Sequence, residues 1–330
     1  MRCQYLSDKD SITKEYMKQP DRFADLFNGF CFGGEEKLHP EELKDMDTTS
    51  IVLPYGSNGA ALPEQKARDV LKLALKTDGK AAYCILGVEN QTEVHTAMPI
   101  RNMLYDAMTL TEQVVATAKS HKAAHNHGND KAEFLSGFHR DDKVLPVITL
   151  VVYWGADDWD APVTLREMYP EGVDESILKY ATDYKMNLVS PARMTDQQLD
   201  VFRSDLKAVL KFIKHSKDKA ELANLVNNNQ DYKSLDRLAA QTISVCSGQN
   251  FNFPVGEERI DVCKAIDDMI TDARNEGLTK GRDEATNEGM LNVIATVRDL
   301  NLGKEVAAQQ LAKRYPLSQE AAVEFVHHNW

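Results

Sequence analysis

The stretch 81-AAYCILGVENQ-91 decides how this chain folds. Tyr83, Cys84, Ile85, Leu86 and Val88 form an apolar run of strand-forming residues, and Glu89, Asn90 and Gln91 end it abruptly. A buried strand that delivers polar side chains to a site has this pattern. Side chains on a strand alternate between faces, so Glu89 and Gln91 share one side and Asn90 points to the other. Upstream, 69-DVLKLAL-75 is a second strand-like run that opens on an acid. Between the runs, Thr77, Asp78, Gly79 and Lys80 read as a hairpin turn with Asp-Gly at its tip. Folding that hairpin makes the strands antiparallel and brings Asp69 and Glu89 to the same end. Two carboxylates and a carboxamide converging there suit a hard divalent cation, which takes oxygen ligands.

Toward the N-terminus, residues 8–32 read as helical, with Tyr16, Phe23, Leu26, Phe27 and Phe30 as apolar contacts. Pro20 divides this stretch into two helices, and Gly33 and Gly34 stop the second. Residues 35–45 read as a polar loop, 48-TTSIVLPY-55 as the first strand and 56–63 as a turn. In the other direction, 99–121 is a long helix with Pro99 in its first turn. The most apolar run, 145-LPVITLVVYW-154, should be a buried central strand, with a further short strand at 183–190. The order helix, three strands, helix, strand predicts an α/β fold built on a mixed sheet with helical cover.

From Thr195 onward the pattern is helical, over 196–215, 217–227, 232–245 and 257–277. The expected organisation is a core domain over 1–190, a helical subdomain packed on it over 191–276, and a helical tail over 277–330. Gly277, Gly281, Ala285 and Gly289 fall every fourth residue at the start of that tail. Each glycine costs a helix ~1 kcal/mol, so the stripe implies close packing against another helix or a weak tether. The segment 277–330 is expected either to mediate homo-oligomer formation through its amphipathic helices or to be mobile.

With 330 residues, 42% of them hydrophobic and 27% charged, the composition is that of a soluble globular protein. The formal net charge of −12 excludes a global basic field, so any nucleic-acid role has to rest on a local patch. There is neither an apolar leader nor a run of membrane-spanning length, which points to a cytoplasmic protein. The 5 cysteines are odd in number and widely spaced, resembling neither a disulfide framework nor a zinc motif.

Lys66, Arg68, Lys72, Lys76 and Lys80 cluster around the hairpin, and Lys14 and Arg101 join them if helices cover that face. Arg101, Arg68 and Lys72 are the candidate phosphate contacts, Arg101 foremost, against a solvated surface as the alternative. In 121-HKAAHNHGND-130, His121, His125 and His127 have spacing that could suit a metal. Without a cysteine or a flanking order that fixes the ligands, this stretch reads as an exposed polar loop. Asp157, Asp158 and Asp160 read as a turn or helix cap, and Trp154 and Trp159 as packing residues.

The helix, three strands, helix, strand order, with Asp69 followed some twenty residues on by Glu89, Asn90 and Gln91, resembles the PD-(D/E)XK nuclease superfamily. In particular it resembles the family of recombination-promoting nucleases or putative transposases. The opening 10-DSITKEYMKQPDRFADLFN-28, the VENQ stretch followed by 98-MPIRNMLYDA-107, and 147-VITLVVYWGADDWDAP-162 carry the likeness. The resemblance implies a restriction-endonuclease-like core and a Mg²⁺- or Mn²⁺-dependent endonuclease that hydrolyses DNA in a recombination, mobile-element or defence context. It also implies that Asp69 and Glu89 bind the metal, that Gln91 stands in for the superfamily lysine, and that Glu15 is the accessory helical acid. Arg68 replaces the proline expected before the first acid. Glutamine cannot add positive charge at the transition state, so slow chemistry is expected, and a non-cleaving interaction module that retains the fold is the alternative.

Overall fold

The computed structural model describes residues 2–52, 64–76, 81–249, 251 and 253–330. The expected turn at 56–63 and the hairpin tip at 77–80 lie outside them. The chain opens with α1 (Arg2–Lys18) and α2 (Pro20–Phe32). Pro20 starts α2, where its missing N–H is harmless, and Gly33 ends it in the left-handed region at φ 62°. Then come β1 (Leu43–Asp45), β2 (Thr49–Val52), β3 (Glu64–Ala67), β4 (Val70–Leu75), β5 (Ala82–Gln91), α3 (Met98–Ala123), α4 (Lys131–Ser136) and β6 (Val147–Tyr153). They are followed by α5 (Glu175–Leu178), β7 (Asn187–Val189), α6 (Asp196–Leu199), α7 (Leu206–His215), α8 (Lys219–Asn228), β8 (Leu235–Asp236), α9 (Arg237–Ser247) and β9 (Arg259–Ile260). Last are α10 (Val262–Asp299), α11 (Lys304–Arg314) and α12 (Gln319–Asn329).

Among the described residues the main sheet has five strands in the order β1-β4-β5-β6-β7. β1, β4 and β5 are antiparallel neighbours, and β6 and β7 continue the sheet in parallel. A parallel neighbour needs a crossover, and α3 supplies it between β5 and β6. The mixed α/β architecture predicted from the element order is therefore present, with one strand changed. The first strand of the sheet is Leu43–Asp45, within the stretch read as a loop. The apolar run at 49–52 pairs instead with β3 in a separate two-stranded ribbon. A three-residue edge strand with one apolar side chain carries no periodicity to read.

Two helical layers sandwich the sheet, and alternation along β5 shows both. On one face Asn90 meets Trp154, whose ring packs edge-on against Tyr16 of α1 at 5.9 Å. On the other face Glu89 looks toward Arg101 of α3. Val88, Leu150, Val151 and Val152 are inaccessible to solvent. Burying each such side chain contributes ~1.5–3 kcal/mol. Trp154 and Trp159 are likewise core residues, 1% and 0% exposed.

The helix expected over 196–215 is broken between α6 and α7. Asp25, buried in α2, accepts hydrogen bonds from the backbone N–H groups of Arg203 and Ser204 and from the Ser204 hydroxyl. Those bonds satisfy the interrupted backbone and tie the helical part to α2.

Residues 1–263 form one compact unit and residues 264–330 another. α10 runs without a break through the glycine stripe. Gly277 and Gly281 have open space where a side chain would stand, whereas a Cβ on Gly289 would come 2.4 Å from the Tyr315 hydroxyl. Only the last glycine of the stripe serves close packing. The second unit has its own core, in which Met290, Ile294 and Val297 pack with Ala307, Ala308, Leu311, Ala322 and Val326.

A candidate metal centre at the end of the sheet

Val70 pairs with Val88 across the β4–β5 ladder, so the next residues outward, Asp69 and Glu89, face each other where the pair ends. An Asp69 side-chain oxygen, Oδ2, accepts the Asn90 backbone N–H at 2.8 Å. Glu89 is 0% exposed, and neither of its carboxylate oxygens has a hydrogen-bond partner. Among the described residues Arg101 comes within ion-pair range, with Nη2 3.9 Å from Oε2, beyond hydrogen-bond reach. A buried carboxyl group without donors is costly unless something charged or polar completes it.

The electrostatics agree with that geometry. Burial, followed by repulsion from Asp69, pushes the Glu89 carboxyl from 4.5 up to about 8, although Arg68 and Arg101 pull it down. Burial also raises Asp69, against the opposing pull of the Asn90 N–H, Lys14 and Arg101. Two acids that both resist ionisation side by side form a site whose charge a divalent cation would complete. The oxygen-only donor set fits Mg²⁺ or Mn²⁺, and the orphaned Glu89 oxygens are the observation in favour of it.

Gln91 lies on the Glu89 side of β5, as alternation requires, but it is buried and its amide donates to the Asn90 carbonyl at 2.9 Å. Arg101 is at the site, its Nε donating to the Tyr105 hydroxyl at 3.2 Å and its guanidinium packed on that ring. The other expected phosphate contacts are not. Arg68 is 3% exposed and donates to Thr149 Oγ1 at 2.9 Å and to Asp106 Oδ1 at 2.7 Å. Tyr184 donates to the other Asp106 oxygen at 2.6 Å and accepts from Asn102 at 2.7 Å. Arg68 is thus the cationic centre of a buried network, with no donor left at the surface. Lys72 is 1% exposed, paired with Asp45 of β1 and set over the Phe23 ring. Both corrections share a cause, since charges beside a hairpin look alike in sequence whichever face buries them.

Glu15 does not reach the site either. It is exposed on α1 and pairs with Lys18 at 3.3 Å. α1 brings Asp10 and Lys14 instead, four residues apart and so on one side of the helix. Asp10 accepts from the Thr92 hydroxyl at 2.9 Å, just past the end of β5, and its charge bears on Asp69. Sequence reasoning missed Asp10 and Asp106, and only a helical register against the strand end could have signalled the first. Asp157 and Asp158 are exposed and paired with Lys217 and Arg193, away from the acid pair.

A mixed sheet covered by helices on both faces, with two desolvated acids at a strand end, defines an α/β protein with a candidate cation centre. The chain belongs to the family of YhgA-like putative transposases, whose model matches residues 8–242 and so includes every residue of that centre. Neither the curated proteins nor the solved structures give a match. No described helix is long and apolar enough to cross a membrane.

Proposed function

We propose that this protein is a metal-dependent DNA endonuclease of the PD-(D/E)XK type, acting in the mobile-element or recombination setting that its family name suggests. The observation that carries the reading is the fully buried, unpartnered Glu89 carboxyl facing Asp69 at the end of β5. Asp69 and Glu89 would hold Mg²⁺ or Mn²⁺, which usually takes one or two carboxylates and completes its shell with water and substrate phosphate. When bound, the ion neutralises charge on the phosphoryl oxygens and makes an attacking water more acidic. Arg101, half-exposed beside the pair, would hold a phosphate oxygen and so set the strand's position. The Asn90 N–H keeps Asp69 oriented, and Lys14 adds positive charge on the α1 side. Gln91 brings no charge, so turnover is slow.

A second reading has its own support, because the Gln91 amide is buried and engaged by the backbone rather than turned to the acids. On that reading the protein binds DNA without cutting it. Incubation with supercoiled plasmid, with and without Mg²⁺ or Mn²⁺, separates the two. Metal-dependent nicking that disappears in Asp69→Asn and Glu89→Gln supports the nuclease. Binding that persists with no nicking by the wild type favours the second reading.

A further inference from the structure

The segment that follows α3 holds a second cluster of metal-ligating groups on the same unit, distinct from the acid pair. His121, in the last turn of α3, places Nε2 3.1 and 2.9 Å from the two oxygens of Asp142. The His139 ring lies flat on the His121 ring, with centroids 3.8 Å apart and planes 17° apart. One ligand atom from each of His121, His139 and Asp142 lies within 4.8 Å of the others. Asp142 Oδ2 also accepts the His139 backbone N–H at 2.6 Å, which fixes the carboxylate against the histidine it neighbours. His139 Nε2 is buried and has no hydrogen-bond partner. Stacked rings aim their lone pairs along near-parallel planes, so both histidines reach one ion only when the His139 ring turns about χ2, and no hydrogen bond to its Nε2 opposes that turn.

The surrounding chain points the same way. Phe134 and Leu135 of α4 are 62% and 72% exposed, so the segment does not close over an apolar core. Polar ties shape it instead. Glu133 accepts the backbone N–H groups of Asn129 at 2.6 Å and Arg140 at 3.0 Å, and Asp130 caps α4. A cavity of about 390 Å³, lined in part by His121, His127, Glu133 and His139, leaves room beside the cluster for water.

The geometry points to a Zn²⁺ site formed by His121, His139 and Asp142, with water in the remaining position. Two imidazoles and a carboxylate form a borderline N/O donor set that suits Zn²⁺ and disfavours Mg²⁺ and Ca²⁺, which prefer oxygen alone. His125 and His127, close in sequence to His121, are exposed and contribute no ligand.

Full-length protein stripped of metal and titrated with Zn²⁺ alone tests this. The background is Glu89→Gln, so that the acid pair does not compete. One equivalent should bind. His139→Ala and Asp142→Asn should each weaken binding by at least about 100-fold, beyond the roughly 10–100-fold cost of losing a merely supporting group. His125→Ala and His127→Ala should leave it unchanged. Co²⁺-loaded protein that retains His121, His139 and Asp142 should show hyperfine-shifted imidazole N–H resonances from two histidines, a readout that survives if a variant fails to fold. Absence of stoichiometric Zn²⁺, signals from fewer than two histidines, or unchanged affinity in folded His139→Ala and Asp142→Asn would each overturn the assignment.

Discussion

Asp69 is fastened to Asn90: its Oδ2 accepts the Asn90 backbone N–H at 2.8 Å, one residue beyond Glu89 on β5. That bond orients one acid of the pair, while the other, Glu89, is inaccessible to solvent and has no donor at all. The two carboxylates therefore differ in what keeps them in place, and their responses to pH and metal should differ accordingly.

Glu89 should make the metal-free protein less stable as pH rises. Its folded-state pKa of about 8 lies above the ordinary 4.5, so its contribution is fully present below 4.5 and is lost as pH climbs through 8. Melting temperatures measured across that window should fall for the wild type. Glu89→Gln, which mimics the protonated acid, should match the wild type at low pH and lack this component of the slope. Parallel curves for the two proteins would remove Glu89 as the titrating group.

Metal uptake should be linked to the same proton. At pH 7 a Glu89 that titrates near 8 is largely protonated, so binding Mg²⁺ should release close to one proton, and apparent affinity should rise with pH up to about 8. Calorimetry in two buffers of different ionisation enthalpy measures that release directly. Asp69→Asn and Glu89→Gln should each lose most of the metal-induced rise in melting temperature. Full metal response in both variants would place the ions elsewhere.

Arg101 serves Glu89 and, on the proposed reading, the substrate. Arg101→Ala should push the Glu89 titration further up, because a favourable charge 3.9 Å away is lost. DNA binding should weaken similarly for all sequences, and its dependence on log salt should flatten by about one phosphate contact. Glu15→Ala, remote from the acids, is the matched control and should change neither. An unaltered salt slope in Arg101→Ala would leave it as a partner of Glu89 only.

The Arg68 network should be a stability element. Arg68→Met leaves Asp106 of α3 without its cation and should cost about 3 kcal/mol, the low end for breaking a buried pair because Asp106 keeps some contact with water. Gly87→Ala should also destabilise, by ~1–3 kcal/mol, since a Cβ there would lie 2.4 Å from the Arg68 Nη1 that the network holds in place. Urea denaturation measures both. A neutral Gly87→Ala would mean that Arg68 can move without loss.

Removal of residues 277–330 should leave a protein that melts cooperatively, because Val262 and Ala265, the buried residues at the start of α10, are retained. The final helices bury their apolar faces on one another, so a core of their own is lost with them. Calorimetry on the truncated chain checks this, and a broad, non-cooperative transition would tie the tail to the fold.

The sequence alone determined the strands that make the site. An apolar run ending in Glu89, Asn90 and Gln91, and a second run opening on Asp69, fix pairing direction and side-chain alternation through local geometry alone, and the β4–β5 ladder follows that reading. The helices that Pro20, Gly33 and Pro99 punctuate were legible for the same reason. Which charge faces inward was not. Arg68 and Lys72 read as surface cations beside a hairpin, and they are buried because Asp106 and Asp45, 38 and 27 residues away, meet them there. Glu15 and Asp10 are equivalent helical acids in sequence, and only the docking of α1 on the strand end brings Asp10 near Asp69. Likewise His121 has close sequence neighbours in His125 and His127, yet the turn after α4 brings it His139 and Asp142. Periodicity is a property of neighbouring residues, whereas desolvation and charge pairing depend on segments that meet only when the chain has folded.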